Sequence, residues 1–285
     1  MKLALSYIHY PVSAGKFLKR AFRKLEPDTV SFGPYTRGWL PWNPNVDYSQ
    51  WADSPTSEQW LDDYVPDLLV QIDANLVVYG DFPFKTYCYA IDNHVKRYDE
   101  RPYDKFYGAH SWGARGQNPE LFKWLPCAYA PEEHFNRNVG RPINGLLIGV
   151  NYEPRAKLIE TLGKKYEGVY GATGYLGGNY NDMYNQTKIA IVKSANNDVG
   201  MRVFENMAQG CCVLADNVTD LKKLGLAHLD QIVIYNNDAE AVELFGQLLA
   251  DDNFRTNIAK RGEEWVRQHT WLDRARVILD DYSNN

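Results

Sequence analysis

No apolar run in this sequence approaches the roughly 20 residues that a membrane-spanning helix needs. The opening MKLALSYIHYP has too short an apolar stretch for a signal peptide, and no small-residue cleavage site follows it. Cysteine is scarce. Cys88, Cys127, Cys211 and Cys212 are the only four, none forms a CxxC pair, and adjacent Cys211 and Cys212 bridge each other poorly. They read as reduced, buried small hydrophobes, so the expectation is a soluble, cytoplasmic protein. A basic surplus is missing as well. The 31 Lys and Arg stand against 36 Asp and Glu, and the net charge of -5 gives no global case for nucleic-acid binding. HYPVSAGK lacks the GxxxxGK[ST] spacing of a P-loop, and the glycine-rich GATGYLGG opens no clear helix, so no dinucleotide fingerprint is present. The six histidines are scattered, and the Asp pairs at 62/63, 251/252 and 280/281 fall in helical or capping contexts. No metal site and no cofactor is expected.

What remains is a chain of 285 residues, 45% of them hydrophobic, which suffices for real cores in two moderate domains. KLALSYI reads as a strand, KFLKRAFRKL as a helix and DTVSF as a second strand. That order predicts a parallel sheet. DLLVQID, TYCYAID and KFYGA supply further strands, and WLPCAYAPEEHF reads as an exit loop. A second alternating block opens with the strand NGLLIGV and the helix PRAKLIETLGKKY. It continues through GVYGA, a helical turn at MYNQTK, IAIVKSA, a helix over about 198–209, CCVLAD and DQIVIY. Asp238 and Asp252 are placed to cap two tail helices, and TWLD gives a capping pattern before the last. The reading is α/β, with a first domain over 1–138, a second over 139–265 and a terminal helix over 266–285.

Two local patterns stand apart from this rhythm. Lys16, Lys19, Arg20, Arg23 and Lys24 line one helix face, read as a solvated face or as a guide for a polyanionic acceptor. Residues 34–63 hold Trp39, Trp42, Trp51 and Trp60 among prolines, read as a long loop that packs or stacks on sugars or bases. The seven acids between Asp47 and Asp73, with no Lys or Arg among them, oppose a continuous nucleic-acid track.

The stretch NNDVGMRVFENMAQGCCVLADN carries the sharpest pattern. Val199, Val203 and Met207 step by four and form a buried face. Asp198, Arg202, Glu205 and Gln209 share the other. Gly210 sits where a left-handed residue ends a helix. Ligands of open α/β sheets bind at the carboxyl ends of strands, and helical side chains lean toward the helix N-terminus. Glu205 can therefore reach such a crevice and accept two hydrogen bonds from a ribose diol, while the helix N-terminus favours phosphate. By spacing alone, the simpler reading is a surface pair of Arg202 with Glu205.

VGMRVFENMAQGCCVLADN resembles the helix–strand motif of nucleotide-sugar glycosyltransferases of the GT-B fold, closest to the CgeB-like group within glycosyltransferase group 1. The tail from IVIYNNDAEAVELFGQLL to TWLDRARVIL resembles that group in order and spacing. The resemblance implies two Rossmann-like domains with a cleft between them and a helical C-terminal tail. It implies a nucleotide-sugar donor on the second domain, a hydroxyl acceptor on the first, and transfer without a metal ion. Glu205 matches the glutamate that binds the donor ribose. The family's first glutamate falls on Asn197, a departure, with Asp198 beside it. Arg155 lies near the family's diphosphate-binding lysine, where it reads equally as a solvated helix residue. Lys193, Ser194 and Arg202 are further donor-side candidates. Asp92 and His94, closing a strand of the first domain, are the candidate base, with His110 and His9 as weaker alternatives. Small enzymes of this kind occur in phages, which makes DNA one possible acceptor. A non-catalytic nucleotide-binding protein and a nucleotide-sugar epimerase remain as alternatives on the same fold.

Overall fold

The computed structural model describes residues 1–7, 12–33, 65–72, 83–93, 103–112 and 118–284. The tryptophan-rich segment, His9 and His94 lie outside them. The chain divides into two units, Met1–Cys127 with Trp271–Asn285, and Ala128–Thr270. No helix among the described residues is long and apolar enough to cross a membrane.

In the first unit the apolar runs form strands because their residues are buried on both sides, as parallel sheets under helices require. β1 (Leu3–Ser6), β2 (Val30–Phe32), β3 (Leu68–Ile72), β4 (Lys85–Ala90), β5 (Lys105–Gly108) and β6 (Phe122–Trp124) pair in parallel in the order β2-β1-β3-β4-β5-β6. Helix α1 (Ala14–Leu25) starts at Ser13, whose hydroxyl accepts from Lys16 N at 3.2 Å, and buries Phe17, Leu18, Ala21 and Phe22. Its basic residues fall on the remaining face. The last helix of the chain, Trp271–Ser283, completes this unit. Trp271 is buried, stacks on Phe17 at 6.3 Å and meets Tyr89 edge-on. Arg274 donates to the carbonyls of Pro126 and Cys127, and Asp281 accepts from Tyr107 and Lys123.

The second unit holds β7 (Ile143–Ile148), β8 (Val169–Ala172), β9 (Thr187–Val192), β10 (Cys212–Asp216) and β11 (Val233–Tyr235), all parallel, in the order β11-β10-β9-β7-β8. The connecting helices are α2 (Glu153–Lys165), α3 (Gly177–Asn185), α4 (Met201–Ala208) and α5 (Thr219–Lys223), followed by α6 (Asp238–Ala250) and α7 (Asp252–Val266); the terminal helix is α8. One core joins Leu158 and Leu162 of α2, Ile189, Ile191 and Leu214 of the sheet, and Phe245 of α6. Chain order reverses at β7. β8 lies on one side of it and β9 on the other, so the crevice at a topological switch point falls between the loops that leave β7 and β9.

Three local differences from the sequence reading have physical causes. The caps of α6 and α7 are Asn237 and Asp251, each one residue before the aspartate nominated. A cap needs an extended backbone and a side chain that reaches the amide three residues on, and Asn237 accepts from Glu240 N at 3.0 Å. The helix expected over 198–209 begins only at Met201, because Gly200 before it has an extended backbone, with φ -78° and ψ 171°. The turn expected at MYNQTK is the end of a full helix, α3.

Candidate functional site

β7 ends at Ile148, and the chain turns through Gly149 and Val150 into α2. Arg155, one turn into α2, is 5% exposed instead of solvated. Its Nε donates to the Lys193 carbonyl at 2.7 Å and its Nη1 to the Val150 carbonyl at 3.0 Å. The guanidinium carbon lies 5.0 Å from the Tyr152 ring centroid. Arg155 therefore straps the loop after β7 to the end of β9. Arg202 approaches from α4, with Nη1 3.5 Å from the Ile148 carbonyl. It passes directly over Gly149, where a Cβ would stand 2.6 Å from Nη1 and the φ of 158° is one that side chains rarely adopt. Burial, and then the neighbouring Arg202 charge, pull the Arg155 guanidinium below its usual pKa.

The loop after β9 is built from short polar side chains that fold onto their own backbone. Ser194 N donates to Asp216 Oδ1 at 2.9 Å, and the Ser194 hydroxyl bonds the other oxygen of that carboxylate. Lys193 pairs with Asp238. Asp198 Oδ1 faces the amides of Ala195 at 3.2 Å and Asn196 at 3.3 Å. Asn197 is exposed in the left-handed region, which Asn tolerates better than most residues. Gly200 then caps α4 with no side-chain bond, so the first amides of the helix face this loop without a capping group.

Glu205 is not on a solvent face. It is 5% exposed, and Gln209 on the same side is fully buried. The cause is α3, which covers that side of α4. Tyr180 donates to Glu205 Oε2 at 2.8 Å, and Gln209 Nε2 donates to Asn181 Oδ1 at 2.6 Å. A second partner comes from the segment before β7. His134 Nε2 stands 3.6 Å from Glu205 Oε1. Tyr184 of α3 accepts from Ile148 N at 3.0 Å, tying the same helix to the end of β7. The surface pair of Arg202 with Glu205 is thus replaced by a buried network. Sequence reading missed Tyr180 and His134. Neither lies in a motif, and the only trace of Tyr180 is its spacing of four from Tyr184.

The structure thus brings Arg155, Arg202, Lys193, Ser194, Asn197 and Asp198 to the ends of β7 and β9, with Glu205 one turn further into α4. Asp92 belongs to the other unit, in the turn after β4. Beside it, Asn93 exchanges two bonds with the backbone of His110, at 2.8 and 2.9 Å, and His110 is buried. Among the described residues no group of three His, Cys, Asp or Glu is placed to hold a metal ion.

A cavity of about 510 Å³ lies at the amino-terminal edge of the second sheet, where Arg141, Lys188 and Gly210 face Arg255, Lys260 and Arg267. None of the sequence-nominated residues lines it. Arg141 is spent there on the carbonyls of Tyr184, Thr187 and Gln209, and Glu263 and Glu264 share the wall. It gathers the strand and helix ends and is set apart from the switch point.

Residues 149–280 match a family model described as glycosyl transferase-like. The D-inositol 3-phosphate glycosyltransferase of Xylanimonas cellulosilytica is 29% identical over 103 residues, which are 36% of this chain and 25% of that protein. The match thus spans a quarter of that relative's length. HepE of Anabaena, solved in complex with UDP-glucose, superposes with a TM-score of 0.71 at 10% identity, over 100% of both chains. The DNA modifying enzyme beta-glucosyltransferase superposes with a TM-score of 0.63 at 13% identity, over 100% of this chain and 99% of that one. At these identities the two structures speak to fold alone. The chain has the GT-B fold, and its residues 149–280 are similar to the glycosyl transferase-like family.

Proposed function

We propose that this protein is a glycosyltransferase that moves a sugar from a nucleotide-sugar donor to a hydroxyl acceptor without a bound metal ion. The observation that carries the reading is the pair of arginines at the switch point of the second sheet. Arg202 is a like charge close enough to pull the Arg155 guanidinium below its usual pKa, and both stand beside the uncapped start of α4. A diphosphate there relieves the repulsion, accepts charge-assisted bonds from Arg202 and the outer face of Arg155, and meets the first α4 amides. As the leaving diphosphate gains charge, the same groups stabilise it. Glu205 takes the ribose hydroxyls of the donor. Ser194 and the backbone from Lys193 to Asp198 line the donor's path. Residues 139–265 hold the donor, and residues 1–138 with the last helix supply the acceptor side, where Asp92 or His94 takes the acceptor proton.

A hydroxylated base in DNA is one acceptor in keeping with this reading, as in a phage enzyme acting in the cytoplasm. HepE was crystallised with UDP-glucose, which makes UDP-sugars the first donors to test. Titration calorimetry of the full chain with UDP-glucose, GDP-glucose and ADP-glucose is the direct experiment. Binding of one of them, weakened at least about tenfold by Arg202→Met, supports the site. Absence of binding to all three refutes it. A second reading has one observation in its favour. Asn197 stands in a left-handed conformation where the family pattern has a glutamate, and this fits a protein that keeps the nucleotide but transfers nothing. Release of free sugar or glycosylated product from the bound donor decides between them.

A further inference from the structure

Glu205 is a buried carboxylate, and a buried carboxylate needs donors aimed at it. Tyr180 supplies one, and His134 stands beside the other oxygen, both outside any motif. Tyr180 has two acceptors in reach, Glu205 Oε2 at 2.8 Å and Asn206 Oδ1 at 3.4 Å. The shorter, charged one wins the single proton. Burial, and then the Glu205 charge, hold the Tyr180 phenol well above its ordinary pKa, so it keeps that proton and remains a donor. The Tyr180 ring is itself fixed edge-on against Tyr184, 4.7 Å between centroids.

His134 faces the other carboxylate oxygen. Its Nδ1 accepts from Ala130 N at 3.2 Å, inside a turn where His134 N donates to Ala130 O at 2.8 Å. That bond leaves the neutral ring's proton on Nε2, the atom 3.6 Å from Glu205 Oε1. A carboxylate has about four lone-pair directions. Tyr180 and His134 face one on each oxygen and leave the others for a vicinal diol.

We infer that Tyr180 and His134 are positioning residues that orient the Glu205 carboxylate for a ribose diol. The inference rests on the proposed donor site and names what sets its preference for ribonucleotides. Neither residue touches the nucleotide; each acts through Glu205.

The test is calorimetry on the full chain with UDP, GDP and ADP, each against its own 2′-deoxy analogue. The wild type prefers the ribonucleotide by about tenfold or more, the value of one hydrogen bond to a charged group. Glu205→Gln abolishes most of that preference. Tyr180→Phe and His134→Met each reduce it about three- to tenfold while thermal melts show a folded protein. His134→Gln, which keeps an N–H near the Nε2 position, restores it. In the Glu205→Gln background, Tyr180→Phe changes the ratio no further. An unchanged ribose preference in Tyr180→Phe and His134→Met overturns the inference and leaves the donor site standing, provided Glu205→Gln loses it. An equal further loss in the Glu205→Gln background also overturns it, because the two side chains then act independently. A wild type that binds none of the three nucleotides removes the functional reading and this inference together.

Discussion

Arg155 separates two kinds of explanation, because the structure assigns it work that needs no ligand. Its guanidinium serves two backbone carbonyls, at 2.7 and 3.0 Å, that belong to different strand ends. Hydrogen bonds to a charged group contribute about 1.5–3 kcal/mol each, and a stranded buried acceptor costs about 1–3 kcal/mol. Desolvating the guanidinium offsets part of this. Arg155→Ala should therefore lower stability by about 2–4 kcal/mol. Arg155→Lys keeps the charge but cannot serve both carbonyls, since the planar fork is lost, and should fall about halfway. Urea denaturation at neutral pH measures the difference, read from the midpoint at unchanged slope. A stability within about 0.5 kcal/mol of wild type for Arg155→Ala is the result of a surface substitution, and it refutes the strap. If nucleotide binding then still falls in that variant, Arg155 is a ligand contact only. If both fall together, and Arg155→Lys restores binding less than stability, the strap and the phosphate contact are one function.

Other perturbations follow from single placements. Gly149→Ala puts a Cβ 2.6 Å from Arg202 Nη1, against about 3.5 Å for a relaxed contact, and the flexible guanidinium is what moves. The Gly149 φ of 158° is also one that side chains rarely adopt, so nucleotide affinity by calorimetry should drop about tenfold and the melting temperature should fall as well. Gly210→Ala should act on stability alone. Its φ of 74° disfavours any Cβ by about 1–2 kcal/mol, and that Cβ would meet Asn136 Cγ at 2.7 Å and Arg141 Nη2 at 2.8 Å, both held by other bonds. Urea midpoints should report a loss of about 2–4 kcal/mol with little change in affinity for the folded protein. Burial pushes the Cys211 thiol up to about 11 and Cys212 to about 12. At pH 8 neither should react with iodoacetamide until urea unfolds the chain, as mass spectrometry would show; native labelling at the rate of a free thiol would contradict their burial.

The alternation of strands and helices in the second unit was legible because its parallel strands are continuous apolar runs and its long helices carry clear periodicity. NGLLIGV, IAIVKSA and CCVLAD each overlap a strand, and Gly210 ends α4 as its position predicts, with a left-handed φ. α3 was not legible. GGNYNDMYN has weak amphipathy and two leading glycines, so local propensity argues for a loop, and the helix exists because Tyr180 and Tyr184 are buried. That single miss accounts for the misreading of α4. A helix with Asp198, Arg202, Glu205 and Gln209 in register looks amphipathic until another helix covers the polar side. Arg155 escaped for a related reason, since spacing cannot show that an arginine's acceptors are backbone carbonyls.

The charges at the switch point are unequal in what they leave available. The negative groups are occupied. Asp216 holds Ser194, Asp198 faces two loop amides, Asp238 is paired with Lys193, and Glu205 faces Tyr180 and His134. Each carboxylate is used to fix a loop or is itself fixed, and its field is partly met by the donors it holds. Arg202 has one long bond to a carbonyl at 3.5 Å, and Arg155 sits beside it with a depressed pKa. Arg202 is therefore the cation at this crevice that the protein's own groups engage least. In the proposed donor site that guanidinium is the group a diphosphate would engage, and it is set by hydrogen-bond assignment more than by residue counts. It also gives a physical reading of Asn197. A glutamate there would add a free carboxylate to the loop and would have to adopt a left-handed backbone that disfavours it by about 1–2 kcal/mol. With Asn the loop keeps its turn and gains no further negative charge.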